Sequence, residues 1–350
     1  MKQLLFISIM SLSIAMVSGC EIRPLGQEEE APPTTGLYKS MDNGDTWEFI
    51  SDESRRNGLR QADTYSLIAD PSVPSVIFWG GETGLYRSWD NGVHWQSLNR
   101  GLPAQNGYVD KIFFDPQDTN TIYVVGQFDG LGRIFRAGNG GGDWERIYSD
   151  LELETSVTDI AINPKNTNIL YATSTSKAFL RSFDRGATWQ ALAWFKRATT
   201  DVAVYPEDTN IIFVSVARDG IHKTENEGKN WVKIVQDGFP SVVRILAINP
   251  LEPKRIYAAT EEGLYYSSNL GKEWQLLTDL IPVDEPDITA LAFHPTQKDT
   301  LYLASLDTIY ITYNHGLSWD VKKIKLPHTI YDIIVDASDP DILYAGVGNY

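Results

Sequence analysis

Short apolar runs, each ending in a polar residue and usually a proline, recur seven times along the chain. Each run is nearly continuous in apolar residues, which is typical of a strand buried on both faces. The proline then ends the strand and starts a turn. A second run, rich in β-branched and aromatic residues, follows each turn and predicts a second strand. The first runs occupy residues 66–71, 111–116, 159–164, 201–206, 245–250, 290–295 and 332–337, and the second runs 76–79, 122–125, 169–172, 211–214, 256–259, 301–304 and 342–345.

An eight-residue segment of the pattern Ser-x-Asp-x-Gly-x-x-Trp, here named the box segment, also recurs seven times. The first two copies read SMDNGDTW and SWDNGVHW, and the third, AGNGGGDW, keeps only the Asn, Gly and Trp. Successive copies are 42 to 49 residues apart. A period near 45 residues predicts an array of small β units. The copies end at Trp47, Trp95, Trp144, Trp189, Trp231, Trp274 and Trp319.

Strand-like runs flank each box segment, so we expect the segment to be a hairpin turn with a structural role. Its Asp or Asn can bond to the backbone of the turn, its Gly allows a positive φ, and its Trp buries a large ring. A catalytic residue has no reason to recur at every hairpin, whereas a structural clip has. The Asp or Asn residues concerned are Asp42, Asp90, Asn139, Asp184, Asn226, Asn269 and Asn314.

Four strands in each of seven units predict an all-β fold, a single seven-bladed β-propeller over residues 36–350. The first repeat begins at its third strand, and the last ends at its second strand. We therefore expect one blade to combine two strands from each terminus. Such a 2+2 closure removes the free sheet edges of an open array.

The amino terminus has the pattern of an export signal. Lys2 precedes an apolar stretch too short to span a bilayer, and Val17-Ser18-Gly19-Cys20 resembles a bacterial lipobox. We expect a signal peptide at residues 1–19, then lipidated Cys20 and a flexible tether to residue 35. Acylation at Cys20 would anchor the protein to a bacterial membrane, on its periplasmic or extracellular face.

Composition and charge exclude several functions. The net charge of −16 argues against nucleic acid as a partner. The histidines show no metal-ligand spacing, and neither a haem motif nor a phosphate loop occurs, so we expect no metal and no cofactor. The propeller body is expected to be monomeric. The five histidines are His94, His222, His294, His315 and His328.

The box segments resemble Asp-box, or bacterial neuraminidase, repeats. Such repeats occur in sialidases, sortilin-type receptors, xyloglucanases and the assembly and stability factors of photosystem II. The resemblance covers residues 36–350. It implies a propeller fold but says little about activity.

The face opposite the box segments is the expected binding face, because its loops vary in length and chemistry. Exposed aromatic residues beside arginines are typical of protein interfaces. Trp194 has an alternative role, packing between blades. The candidate binding residues are Arg55, Arg56, Arg60, Phe128, Asp129, Trp194, Phe195, Arg197, Arg218 and Asp219.

Two functions fit this sequence. The first is a non-catalytic scaffold, anchored in the cell envelope, that binds a protein partner or envelope complex through this face. The alternative is a glycoside hydrolase or glycan-binding propeller, in which Asp129 could pair with Asp219 or Asp284. A sialidase begins with Arg-Ile-Pro, whereas this chain has Ile22-Arg23-Pro24 in its tether. The first function is therefore the better supported, and no catalytic residue is assigned.

Overall fold

The computed structural model describes residues 35–50, 62–277, 287–324 and 328–349. These residues belong to a compact unit, Pro33–Tyr350. The expected signal peptide, the lipidation site Cys20 and nearly all of the tether lie outside the described residues. Within the described part, no helix is both long enough and apolar enough to cross a membrane.

The described strands form seven antiparallel sheets of four strands each. Blade 1 contains β3 (Thr64–Ala69), β4 (Ile77–Gly81), β5 (Gly84–Ser88) and β6 (Gln96–Ser97). Blade 2 contains β7 (Gly107–Asp115), β8 (Asp118–Phe128), β9 (Leu131–Ala137) and β10 (Glu145–Ser149), preceded by a 3₁₀ turn (Ala104–Asn106). Blade 3 contains β11 (Val157–Ile162), β12 (Leu170–Ser174), β13 (Ala178–Ser182) and β14 (Gln190–Trp194).

The remaining blades repeat this order. Blade 4 contains β15 (Thr199–Val204), β16 (Ile212–Val216), β17 (Gly220–Thr224) and β18 (Val232–Lys233). Blade 5 contains β19 (Val243–Ile248), β20 (Ile256–Thr260), β21 (Gly263–Ser267) and β22 (Gln275–Leu276). Blade 6 contains β23 (Ile288–Phe293), β24 (Leu301–Ser305), β25 (Thr308–Thr312) and β26 (Asp320–Lys323). Blade 7 contains β27 (Thr329–Val335), β28 (Leu343–Gly348), β1 (Gly36–Ser40) and β2 (Glu48–Phe49).

Blade 7 closes the ring with two strands from each end of the described chain. Strand β1 pairs with β28 in an unbroken register from Gly36 opposite Val347 to Ser40 opposite Leu343. Strand β27 of this blade also contacts β3 of blade 1 and β23 of blade 6. The predicted seven-bladed propeller and its 2+2 closure are confirmed.

In six of the seven described blades the second strand, rather than the first, is fully buried. All residues of β4, β12, β16, β20, β24 and β28 are buried. The first strands are only partly buried, as in β11 and β23. The expectation that first strands are buried on both faces was wrong, because these strands line a central channel.

The box segments are clips made of side-chain to backbone hydrogen bonds. The Ser40 hydroxyl accepts from the Gly44 N–H at 2.8 Å and donates to Asp42 Oδ1 at 2.8 Å. Asp42 Oδ1 accepts from the Thr46 N–H at 2.8 Å, and the hydrogen bonds from Thr46 lower the Asp42 pKa to about 2. Ala137 replaces the serine in the third copy. The hydroxyl-to-glycine bond recurs at Gly92, Gly186, Gly228, Gly271 and Gly316.

The glycine of the box segment also permits contact between neighbouring blades. Gly186 has a φ of +90°, and a Cβ there would lie 2.3 Å from Ile147 Cδ1 in blade 2. At Gly228 a Cβ would lie 2.4 Å from Leu192 Cδ2 in blade 3. The sequence predicted the positive φ of this glycine but not its packing. The box segment therefore has two roles: it stabilises its own hairpin and packs it against the preceding blade.

The propeller has two distinct faces. The box segments connect third and fourth strands and the proline turns connect first and second strands, so both lie on one side, here named the box face. The opposite side, the channel face, carries the turns between second and third strands and the beginnings of the first strands.

Candidate functional site

Each first strand has a β-bulge near its start, at the channel face. The pairing register between first and second strands shifts by one residue at the same place in all seven described blades. A bulge re-aims the extra side chain and is often found beside functional sites. The extra residues are Tyr65, Asp110, Thr158, Thr200, Arg244, Thr289 and Tyr331.

These bulges build a cavity of about 570 Å³ at the mouth of the channel. Six of the seven bulge residues line it, Thr200 being the exception. The volume is within the range of small-molecule binding sites, roughly 300–1,000 Å³. Its remaining lining is supplied by Lys111, Ile245, Asp287, Ile288, Leu306 and Thr329.

A lysine surrounded by carboxylates lies where the cavity continues into the channel. Lys111 Nζ is 3.2 Å from Asp159 Oδ1 and 3.6 Å from Asp201 Oδ2. Burial alone would lower the Lys111 pKa, but the charges of Asp159, Asp201 and Asp332 outweigh it and raise the pKa. The side chain is nevertheless 38% exposed, because the channel admits water.

The three aspartates also connect neighbouring blades. Asp159 Oδ2 accepts the Val202 N–H at 2.9 Å, and Asp201 Oδ2 accepts the Leu246 N–H at 3.1 Å. In the same way Asp332 Oδ2 accepts the Leu67 N–H at 2.7 Å. Each bond joins equivalent positions of consecutive blades, so these carboxylates have a structural role.

Burial shifts the protonation of two of these aspartates. It raises the Asp332 pKa to about 7, although two backbone hydrogen bonds oppose the shift. Burial, reinforced by the charge of Asp201, raises the Asp159 pKa well above its usual value. Of these groups, Asp332 therefore takes up its proton near neutral pH.

Asp110 is the bulge residue best suited to proton transfer. Its Oδ2 accepts a 2.6 Å hydrogen bond from the Ser156 hydroxyl, at the start of blade 3. Burial raises the Asp110 pKa to about 6, while the Ser156 bond and the Lys111 charge act in the opposite direction. A carboxyl with this pKa can donate or accept a proton near neutral pH.

The rim of the cavity combines a fixed ion pair with aromatic rings. Arg244 forms two hydrogen bonds with Asp287, at 3.2 and 2.9 Å, and both side chains are about half exposed, at 47% and 49%. Tyr65 packs edge-on against Tyr108 with a centroid distance of 5.6 Å. The rim thus presents paired charges and amphipathic rings, the residue types that protein interfaces favour.

Only part of the binding face predicted from the sequence lies on the surface. Arg55, Arg56 and Arg60 lie outside the described residues. Phe128 is fully buried and packs against Phe135 with a centroid distance of 5.0 Å. Its assignment to the binding face was therefore wrong, because the ring belongs to the core of blade 2.

The remaining predicted residues lie away from the cavity. Trp194 is 69% exposed at the end of β14, so it does not pack between blades. Phe195 does, with its ring 5.4 Å from that of Trp231 in blade 4. Arg197 directly follows this segment and Arg218 lies in the turn between β16 and β17, and both are exposed. They do not line the channel mouth.

For the hydrolase alternative the sequence offered Asp129 together with Asp219 or Asp284. Asp284 lies outside the described residues, and Asp129 and Asp219 are both engaged in ion pairs. Asp129 accepts a 2.8 Å hydrogen bond from Arg133. Asp219 contacts Lys233 at 2.6 Å and His222 at 2.8 Å, and these bonds lower its pKa. A lowered pKa favours the ionised form and is unsuited to a general acid.

Solved structures match the fold, whereas neither a scan against protein-family models nor a search of curated proteins found a match. A GH74 xyloglucanase from Xanthomonas campestris is 17% identical, with a TM-score of 0.68, over 82% of this chain and 51% of its own. A GH74 enzyme from Niastella koreensis is 16% identical, with a TM-score of 0.65, over 88% and 52%. This chain therefore spans about half of each enzyme.

A second group of structures has a similar length to this chain. YCF48 bound to a D1 peptide is 17% identical, with a TM-score of 0.63, over 83% of this chain and 94% of its own. YCF48 from Cyanidioschyzon merolae is 16% identical, with a TM-score of 0.60, over 82% and 96%. The likeness lies in the fold: this chain is a seven-bladed β-propeller. Folds of this kind occur in both enzymes and non-enzymes, so function rests on the site.

Proposed function

We propose that this protein is a non-catalytic scaffold that binds a segment of a partner protein at the mouth of its central channel. The observation that carries this proposal is the ring of bulges, which directs six side chains of four residue types into one open cavity. A bulge at the same position in every blade keeps the backbone regular while leaving each side chain free to vary. That arrangement suits recognition of an asymmetric partner.

The state of the charged groups supports binding over catalysis. Arg244 and Asp287 neutralise each other, and Lys111 is neutralised by Asp159 and Asp201. Charged groups at a rim favour specificity when a partner presents complementary charges to them. A protein of the same fold and similar length, YCF48, was solved bound to a peptide, and we extend that mode of binding to this chain.

We further propose that the box segments are Asp-box repeats and that Cys20 carries the membrane anchor. Strand β1 begins at the channel face, so a lipidated segment before it would join the propeller there. A Cys20→Ser variant of the full chain should leave the membrane fraction after expression. Retention of this variant in the membrane, without incorporation of labelled fatty acid by the wild type, would contradict the anchor.

The binding site is tested by crosslinking the full chain in its native membranes and identifying the attached proteins. We expect Arg244→Ser to lose the partner, because the substitution leaves Asp287 unpaired at the rim. A matched surface change on the box face, Leu317→Ser, where the leucine is 87% exposed, should retain it. Trp194→Ala tests the peripheral surface predicted from the sequence. Loss with Trp194→Ala or Leu317→Ser, but not with Arg244→Ser, would move the site elsewhere.

Glycoside hydrolysis is the second candidate, favoured by one observation. A glycosidase needs a carboxyl group with a raised pKa as its acid, and Asp110, in the cavity, has a pKa of about 6. We expect no release of sugar from xyloglucan or sialyllactose by the purified chain. Turnover that is abolished by Asp110→Asn would establish the enzyme instead of the scaffold.

A further inference from the structure

One histidine and two carboxylates meet on the box face, between blades 5 and 6. Glu252 lies in the turn between β19 and β20, and Asp299 in the turn between β23 and β24. His315 belongs to the box segment of blade 6, and its backbone N–H donates to the Asp299 carbonyl at 2.8 Å. The group is independent of the channel mouth, which opens on the opposite face.

The potential ligand atoms are close together. His315 Nε2 lies 2.5 Å from Asp299 Oδ1 and 3.9 Å from Glu252 Oε2, and the three residues each offer one ligand atom within 4.8 Å of the others. Two ligands about 2.1 Å from a tetrahedral metal ion are roughly 3.4 Å apart. The observed separations lie on either side of that value, so small side-chain movements suffice.

The two carboxylate ligand atoms are also unsatisfied as hydrogen-bonding groups, and so is the other ring nitrogen of His315. Among the described residues, Glu252 Oε2, Asp299 Oδ1 and His315 Nδ1 are shielded from solvent and have no hydrogen-bond partner. The close contacts of the two carboxylates have the distance of ion pairs but not the direction of hydrogen bonds. Buried polar atoms are normally satisfied, and an unsatisfied one is a reason to consider an ion.

The box position of His315 reaches the neighbouring blade in other copies as well. Arg185, at the equivalent position of blade 3, approaches Asp115 of blade 2 to 3.9 Å. Blades 7 and 1 have Asn43 and Asn91 there, in the same left-handed conformation as His315, with φ values of 53°, 59° and 57°. Blade 6 thus places an imidazole where another blade places a cation.

We infer that Glu252, Asp299 and His315 form a binding site for a divalent transition metal ion, best matched by Zn²⁺, that links blades 5 and 6. Imidazole and carboxylate are zinc ligands, and the imidazole disfavours Mg²⁺ and Ca²⁺. Arg255 contacts Glu252 Oε2 at 3.2 Å through its Nε and balances one carboxylate charge. Such outer partners orient metal ligands.

The sequence argued against a metal because no histidine has a second ligand at a regular spacing. The structure explains why the spacing of residues in the sequence did not reveal this group. Glu252 lies 63 residues before His315 in the numbering, and the ligands come from three turns of two blades. Local motifs detect ligands on one element, whereas this group exists only after the blades have packed.

The test is Zn²⁺ binding to the full chain, measured by titration calorimetry after treatment with EDTA. We expect one Zn²⁺ per chain, and a Tm increase of about 4 °C at a Zn²⁺ concentration 100 times the Kd. His315→Asn should remove both effects and preserve the fold, because Asn occurs at this position in two other box segments. Glu252→Gln should weaken binding at least tenfold.

A matched control is provided by His94, which contacts Asp90 at 2.6 Å in the box segment of blade 1. His94→Asn should bind Zn²⁺ with the stoichiometry and Kd of the wild type. Equal binding by wild type and His315→Asn would overturn the inference, and so would the absence of Zn²⁺ binding to the wild type. The partner-binding assay is read separately, since His315→Asn should retain the partner.

Discussion

Replacing Lys111 by Met should destabilise the propeller more strongly at high pH than at low pH. Lys111 is within ion-pair distance of Asp159 and Asp201, and its charge also lowers the pKa of Asp332. Methionine fills a similar volume but leaves three buried carboxyl groups without their cation. Breaking a buried ion pair by removing one partner costs about 3–5 kcal/mol. Because the channel admits water, we expect the lower end, about 3 kcal/mol at pH 8.

The pH dependence follows from the raised pKa values of the carboxyl groups. The Asp332 pKa is about 7 in the folded state against 3.8 when unperturbed, so between these values the folded state holds a proton that the unfolded state has lost. The free energy of unfolding therefore falls as pH rises through this window, by up to about 1.4 kcal/mol per pH unit. Without Lys111 the pKa rises further, and the window extends upward.

At pH 5 Asp332 is protonated, and the raised Asp159 pKa favours its neutral form as well. The cost of Lys111→Met should then shrink to about 1 kcal/mol. The measurement is thermal unfolding of both proteins at pH 5 and pH 8, where 3 kcal/mol corresponds to a Tm decrease of about 4.5 °C. Adding Asp159→Asn to Lys111→Met should recover part of the loss at pH 8.

The matched control is Lys165→Met. Lys165 is exposed and donates to the Glu207 backbone carbonyl at 2.5 Å, so we expect a change below about 0.5 kcal/mol at either pH. If Lys111→Met melted within 1 °C of the wild type at pH 8, the lysine would not be needed to balance the negative charge of the channel carboxylates. An equal loss at pH 5 and pH 8 would contradict the assigned protonation states.

Two further changes test the packing and the closure of the ring. Gly186→Ala should lower the free energy of unfolding by about 3 kcal/mol, because it combines left-handed backbone strain with a clash against Ile147. The control Gly142→Ala, whose new Cβ would have no atom within 4 Å, should change Tm by under 2 °C. Equal Tm values for the two variants would refute the packing argument. Deletion of residues 342–350 removes β28, which pairs with both β1 and β27, so the product should unfold or aggregate in chemical denaturation and light scattering; a product that melts like the intact chain would exclude the 2+2 closure.

The fold could be predicted from the sequence because its determinants are local and repeated. Each box segment contains its own hydrogen bonds, such as those between Ser40, Asp42 and Gly44. Each strand is also predicted by its own run of apolar and β-branched residues. Counting these signals established seven blades and the offset of half a blade between the termini.

The site could not be predicted in the same way. A bulge changes neither the composition nor the period of a strand, so Tyr65, Asp110 and Arg244 read as ordinary residues before an apolar run. A signal was available nonetheless: Lys111, Asp159, Asp201 and Asp332 each precede an apolar run at the same place in the repeat. A charged residue at a repeated inner position indicates a wet channel rather than a dry core.

The ring of bulges explains why the two faces of the propeller differ. On the box face the side chains form the hydrogen bonds of the box segments and the contacts between blades. A substitution there, such as Ala137 in place of serine, therefore weakens the turn that contains it. On the channel face the backbone pairs through the second strand regardless of the bulged residue, and Tyr, Asp, Thr and Arg all occupy that position. Each repeat thus stabilises the fold on the box face and leaves the bulged side chain on the channel face free to vary. Such a repeat can acquire a specific partner without loss of stability.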